Sequence, residues 1–211
     1  WKFGTSLKGV FEGSPFNRAD VCSWDVSNVE DFGRLFANCT AFNQDLSSWN
    51  VSNATKMNSM FFNCTAFNQD LSSWNVSNAT SLNSMFEGCE IFESDLSGWD
   101  TSKNENFGQM FKRAKLFNSD LSAWNVSANT SNYAYQEMFY NAESFTSDLS
   151  RWELGGLSSH MNCMRGMFYE ARKFDSDLTG WCVAEKTSKP KDFSTYSQLA
   201  SEHQPKWGTC P

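Results

Sequence analysis

Histidine is nearly missing from this chain, with two copies in 211 residues. Neither His160 nor His203 stands beside a recognisable nucleophile motif, and no phosphate-cradling glycine loop is present. The common enzyme signatures are therefore absent and no catalytic role is expected. Charge is also sparse: Asp, Glu, Lys and Arg make up 19% of the chain, with a formal net charge of -7. Without a Lys/Arg stripe to replace phosphate counterions, nucleic acid is not an expected partner, and an anionic membrane surface is disfavoured for the same reason. No apolar run approaches a membrane span, and no signal peptide is recognisable. A start at Trp1 without Met reads as a processed or trimmed product and is no more than suggestive of secretion.

Aromatic residues, by contrast, reach 16%, with 19 Phe and 9 Trp. They recur in register. Trp24, Trp49, Trp74, Trp99, Trp124, Trp152 and Trp181 follow at intervals of 25, 25, 25, 25, 28 and 29 residues. Each is preceded by an Asp, at Asp20, Asp45, Asp70, Asp95, Asp120, Asp148 and Asp177. A period of this length signals a solenoid whose units bury their apolar faces only against neighbours. Within one unit, Leu46, Trp49 and Val51 alternate with polar residues, the pattern of a strand with one buried face. Ser52-Asn53-Ala54-Thr55 offers turn and cap chemistry. Met57, Met60, Phe61, Cys64 and Phe67 then read as the apolar stripe of a short helix.

The expected fold is thus an α/β solenoid. It is a leucine-rich-repeat-like stack of about seven strand–turn–short-helix units of ~25 residues, with a parallel sheet on one face and capped ends. One domain spans 1–211: a front cap at 1–9, repeats at 10–181 and a back cap at 182–211. The intervals lengthen where Ser131-Asn132-Tyr133-Ala134-Tyr135-Gln136 and Leu154-Gly155-Gly156-Leu157 are inserted. Insertions in a repeat array map to loops, where function is often placed.

The phrase Phe-Asn-Gln-Asp-Leu-Ser-Ser-Trp-Asn-Val-Ser-Asn, followed by Met-x-x-Met-Phe and a small residue, resembles the BspA-like, DUF285-type surface repeat. The resemblance covers residues 10–181, and the segment from Trp181-Cys182-Val183 to Cys210-Pro211 resembles the cap that closes such arrays. It implies an exported or surface-exposed module for adhesion or interaction. The chain departs from the pattern with Asn for Asp after several tryptophans and Cys for the usual Ala at three positions of the Met-Phe segment.

Candidate sites follow from the repeat. Ser48, Asn50, Ser52, Ser73, Asn75, Ser77, Asp100 and Asn125 form columns of small polar groups on the solvent side of the expected sheet, a candidate platform for a protein or glycan. Tyr133, Tyr135 and His160 mark the inserted loops as a second candidate. Cys182 and Cys210 bracket the irregular tail and are expected to form a disulfide, which places the protein outside the cell, on its surface or in another oxidising compartment. Cys39, Cys64 and Cys89 share a slot that Ala fills in later units, so they read as small buried apolar groups; no metal or other cofactor is expected. The Asp column reads as turn hydrogen bonding, with calcium binding as the alternative. Asn38, Asn53, Asn63, Asn78 and Asn129 lie in glycosylation sequons. The leading expectation is a non-catalytic module that binds a protein or glycan. The alternatives are a structural subunit of a larger assembly and a calcium-, ice- or glycan-binding module.

Overall fold

Two residues in each unit, four positions apart, take a left-handed backbone. In successive units they are Gly9 and Gly13, Arg34 and Asn38, Ser59 and Asn63, Ser84 and Gly88, Gln109 and Arg113, Glu137 and Asn141, Gly166 and Glu170, and Asp192 and Tyr196. A positive φ at the third position of a four-residue turn closes a tight turn and cannot continue a helix. The amides around Ser59 and Asn63 behave accordingly. Met60 donates to the Met57 carbonyl at 3.2 Å, Phe62 to Ser59 at 3.1 Å and Cys64 to Phe61 at 3.0 Å, all three residues back. The amides between them leave the unit: Met57 donates to Ser81, Ser59 to Asn83, Phe61 to Met85 and Asn63 to Glu87, at 2.7–3.0 Å.

The chain is therefore a stack of β-turn coils, seen in a computed structural model that describes residues 3–154 and 157–211. Trp1 and Lys2 of the expected front cap, and Gly155 and Gly156 of the expected insertion, lie outside the described residues. Among the described residues the helices are two short 3-10 turns, Ala19–Ser23 and Ser201–His203. The β-bridges there are isolated parallel pairings that join Ser6, Asp31, Lys56 and Ser81.

The expected α/β solenoid of strand–turn–short-helix units with a parallel sheet does not form. The segment read as a helix is the one that carries the inter-unit ladder, because left-handed residues release every second amide to the next coil. The segment read as a strand is itself turned. Trp49 donates to the Leu46 carbonyl at 3.0 Å, and the side chains of Asp45 and Asn50 capture the amides of Ser47 and Ser52 at 2.8 and 3.1 Å. Such side-chain bonds compete with a strand ladder for the backbone. The ladder also outruns the expected repeat boundaries. It begins at Leu7, which donates to Asp31, and it ends where Gly166, Phe168 and Glu170 donate to Lys191, Phe193 and Thr195, inside the expected back cap.

Three aromatic columns fill the core. Phe36, Phe61, Phe86, Phe111, Phe139 and Phe168 stack with centroids 5.6–5.9 Å apart. Phe42, Phe67, Phe92, Phe117, Phe145 and Phe174 form a second column at 5.7–6.1 Å. The tryptophans form the third, nearly parallel at 6.3–6.4 Å in the pairs Trp49–Trp74, Trp99–Trp124 and Trp152–Trp181. Trp49, Trp74, Trp99, Trp124 and Trp152 are each 3% exposed, which places them inside and not on a recognition surface. Offset-parallel rings suit the aromatic quadrupole, and large rings dominate the burial available to a coil this thin.

Candidate functional site

The polar columns are exposed or half-exposed, and several of their hydrogen-bonding groups serve their own turn or the neighbouring coil. Ser48 Oγ donates to the Cys22 carbonyl at 2.7 Å and Ser73 Oγ to Ser47 at 3.1 Å. Asn50, Asn75, Asp100 and Asn125 each hold, through Oδ1, the amide two residues on, that of Ser52, Ser77, Ser102 and Ser127, at 3.0–3.1 Å. The Asp column does the same at Asp45, Asp70, Asp95, Asp120, Asp148 and Asp177, where the amide lies at 2.8–2.9 Å. In the later units a serine hydroxyl ties each such acid to the next coil. Ser119 Oγ donates to Asp95 at 3.1 Å and accepts from the Leu96 amide at 2.8 Å. Bonds to the ionised form hold these carboxyls below the usual aspartate range, chiefly the backbone amide of the residue two on. No group of three or more His, Cys, Asp or Glu is placed to hold a metal ion among the described residues.

Cys182 and Cys210 form a disulfide. Cys39, Cys64 and Cys89 are buried free thiols, and each Sγ donates to a carbonyl of the preceding unit, at Phe11, Phe36 and Phe61, at 2.9–3.0 Å. Burial pushes their thiols, and that of Cys163, up from the ordinary value. Cys22 is exposed.

The loop candidates separate. Tyr133 is 50% exposed and meets His160 edge-on at 5.5 Å. Tyr135 is fully buried, and its hydroxyl donates to the Val126 carbonyl at 2.9 Å, so it is a core residue and not a contact residue. The two-residue separation between them is enough to place one in the core and the other at the surface. The sequon asparagines also divide. Asn53 is exposed, Asn38, Asn63 and Asn78 are half-buried with their amides bonded along the stack, and Asn129 is buried and out of reach of a modifying enzyme.

The richest surface on the chain involves residues that the sequence reading passed over. Immediately after each core Phe of the first aromatic column, the units carry Ala37, Phe62, Glu87, Lys112, Tyr140 and Tyr169 in turn. Tyr140 and Tyr169 stack at 4.5 Å, and Tyr196 meets Tyr169 edge-on at 5.6 Å while remaining 70% exposed. Lys112 Nζ lies 5.5 Å above the Tyr140 ring. It also bridges Glu137 at 2.6 Å and Glu87 at 3.8 Å, and Arg113 reaches Glu87 at 3.6 Å. Burial raises the Glu87 carboxyl despite these cations. Burial also opposes ionisation of Glu137, but the bonds from Lys112 and Gln109 outweigh it and hold that carboxyl low. Between these side chains, Arg165 and Asp192 lies a cleft of about 470 Å³, with Gly166 among its lining. The signal available in the sequence was variability: the position after the constant Phe changes from unit to unit, and it is half-exposed at Phe62, Lys112, Tyr140 and Tyr169 although buried at Ala37 and Glu87.

A family model described as "Mycoplasma protein of unknown function, DUF285" matches residues 5–124, 78–181 and 100–207. No curated protein matches the chain. Among solved structures, an internalin from Listeria monocytogenes aligns at 12% identity over 86% of this chain and 57% of that one, with a TM-score of 0.27. The chain thus spans a little over half the length of that internalin.

Proposed function

This chain belongs to the DUF285 family, and on that premise we propose that it is a non-catalytic binding module that contacts a protein partner through the tyrosine surface of its later units. The carrying observation is the run from Lys112 over Tyr140 and Tyr169 to the exposed Tyr196. Tyrosine and arginine are the residues that concentrate binding energy at interfaces, because each offers apolar area and directed polar contact together. The small polar columns offer no large side chain, and the Oδ1 acceptors of Asn50, Asn75, Asp100 and Asn125 are engaged by turn amides. The Cys182–Cys210 disulfide suits an exported location, where such a module would meet its partner.

The test is a binding screen against extracellular-matrix and cell-surface proteins with three forms: wild type, Tyr169→Ala/Tyr196→Ala, and Ser73→Arg/Asn75→Arg on the polar columns. The proposal expects a wild-type ligand that the tyrosine variant loses, by tenfold or more in affinity for a hot-spot pair, and that the arginine variant keeps. Loss in the arginine variant alone, or no ligand for any form, overturns it.

A further inference from the structure

The sequence marks Lys186, Lys189 and Lys191 as a small basic spot in an acidic chain, one that reads as a solvated loop. The structure treats them otherwise. Lys186 is 5% exposed, and its Nζ donates to the His160 carbonyl at 2.5 Å. An ammonium carries three donors, and among the described residues the His160 carbonyl engages one of them. Lys189 donates to Ser194 Oγ at 3.0 Å. Together with Arg165 and Lys191 these lysines line a cleft of about 420 Å³, at the junction of the sixth-unit loop with the back cap. Thr187 and Ser188 add hydroxyls to the same wall, and Glu185 is the one acid that lines it among the described residues. None of the four cations has a carboxylate within 4.0 Å among the described residues, whereas Lys112, Arg113, Lys115 and Arg34 elsewhere on the chain do. Burial lowers the affinity of Lys186 and Lys189 for their protons, the condition a bound anion relieves.

We infer that this cleft is a binding site for a tetrahedral oxyanion carried as a sulfate or phosphate ester. Four cations lining one cleft, with hydroxyls in the same wall, match the charge and the donor chemistry of such a group. The cleft is larger than one oxyanion, so the remaining volume admits part of the molecule that bears it. The site stands apart from the tyrosine surface in its ligand chemistry and in its test.

Amide NMR titration of the wild-type chain with sodium sulfate, sodium phosphate and, at matched ionic strength, sodium chloride examines it directly. Glucose 6-sulfate and glucose 6-phosphate serve as the ester probes. Saturable shifts at residues 159–165 and 185–191 are expected with the oxyanions and not with chloride, and the tighter ester identifies the natural source of the group. Lys189→Gln/Lys191→Gln removes two exposed cations outside the core and should keep the wild-type melting temperature while weakening binding by about tenfold or more, for the loss of charge-assisted bonds. This variant leaves Tyr140, Tyr169 and Tyr196 untouched, so failure here is distinguishable from failure of the tyrosine surface. Shifts that follow ionic strength whatever the anion, or binding unaffected in the double variant, overturn the site.

Discussion

Trp74 donates its indole Nε1 to the carbonyl oxygen of Leu46 at 3.0 Å, an acceptor already used at 3.0 Å by the amide of Trp49. The relation recurs along the stack. The Leu71 carbonyl takes the Trp74 amide and the Trp99 indole, and the Leu96 carbonyl takes the Trp99 amide and the Trp124 indole. Each of these tryptophans thus closes the turn of its own coil through the backbone and locks the coil before it through the side chain. Two separable energies follow. Trp74→Phe keeps most of the ring and loses one bond, for an expected cost of about 0.5–1.5 kcal/mol. Trp74→Ala adds a cavity, for an expected cost of about 3–5 kcal/mol. Trp24 supplies the control, since its Nε1 has no partner among the described residues; Trp24→Phe is expected to cost less than Trp74→Phe. Chemical denaturation of the three variants checks the order, and equal losses for the two Phe variants would remove the indole bond as a source of stability.

Gly88 sits at a left-handed position with φ 76, and a Cβ there would lie 2.3 Å from Asn63 Oδ1 and 3.3 Å from Asn63 Cα. The equivalent residues Asn38 and Asn63 hold φ of 62 and 55 with side chains. Gly88→Ala is expected to lose about 1–3 kcal/mol, from the backbone conformation and the contact together. Gly88→Asn should lose less, because asparagine tolerates this conformation. Thermal melts of the pair distinguish backbone strain from crowding: equal losses would assign the whole effect to the contact with Asn63.

The repeat, the buried tryptophans and the capping disulfide are legible in the sequence because they are written in residue identity and spacing. Secondary structure is not, and the reason is local. Met57, Met60, Phe61 and Cys64 fall at helical spacing, yet the same residues are buried by a chain of turns with left-handed corners at Ser59 and Asn63. Apolar periodicity reports which side chains go inside; it does not report where the amides between them point. Serine and asparagine at the corners were the available cue, and at other units Arg34, Gln109 and Glu137 occupy the same corners without it. The tyrosine surface was hidden by the opposite fault. A reading organised around what repeats passes over Tyr140, Tyr169 and Tyr196, which break the repeat. The exchange of Tyr135 for a core role lies below the resolution of any loop-level argument, since Tyr133 two residues away is exposed.

The Asp column predicts the acid limb of stability. Asp70, Asp95, Asp120 and Asp148 are held below their ordinary pKa, first by the amide two residues on. A depressed carboxyl stabilises the fold above its unfolded pKa of about 3.9 and loses that contribution as pH falls through the lower folded value. The contribution of these carboxyls to the melting temperature should therefore be constant near neutrality and fall below about pH 4. Asp70→Asn keeps the side-chain acceptor without the charge and should flatten that limb. His203 works in the other direction. Its bond to Asp175 at 2.9 Å raises its pKa, so its contribution is present below the ordinary histidine value and fades as pH rises through the folded one. Calorimetry across pH, wild type against Asp70→Asn, measures the first effect; identical acid limbs would detach the Asp column from acid unfolding.

The free thiols give a reading of packing. Cys22 is exposed, while Cys39, Cys64, Cys89 and Cys163 are buried and their thiols held protonated by burial. A thiol reagent should modify Cys22 alone in the native chain and all five free cysteines in denaturant. Because each stacked Sγ donates to a carbonyl one unit back, Cys64→Ala keeps the size class of the slot and loses that contact, for an expected cost of about 0.5–1.5 kcal/mol. Rapid native labelling of Cys64 or Cys89, followed by mass mapping, would show that the coils open at the centre of the stack.

The disulfide closes a 28-residue separation between Cys182 and Cys210, with Val183 bonded to Thr209 and Trp207 packed edge-on against Phe193 at 5.0 Å. Constraining a loop of this length in the unfolded chain is worth about 3–4 kcal/mol. Residues 183–209 are bound to the preceding coils through bonds such as that of Leu178 to the His203 carbonyl at 2.8 Å. A Cys182→Ser/Cys210→Ser chain should therefore open first at residues 183–209, and the central coils should follow at higher denaturant. Hydrogen exchange resolves the two. Loss of protection in the back cap with the amides of Phe61, Phe86 and Phe111 still protected is the expected outcome. Simultaneous loss throughout would mean that the cap and the coils form one cooperative unit and that the disulfide stabilises all of it.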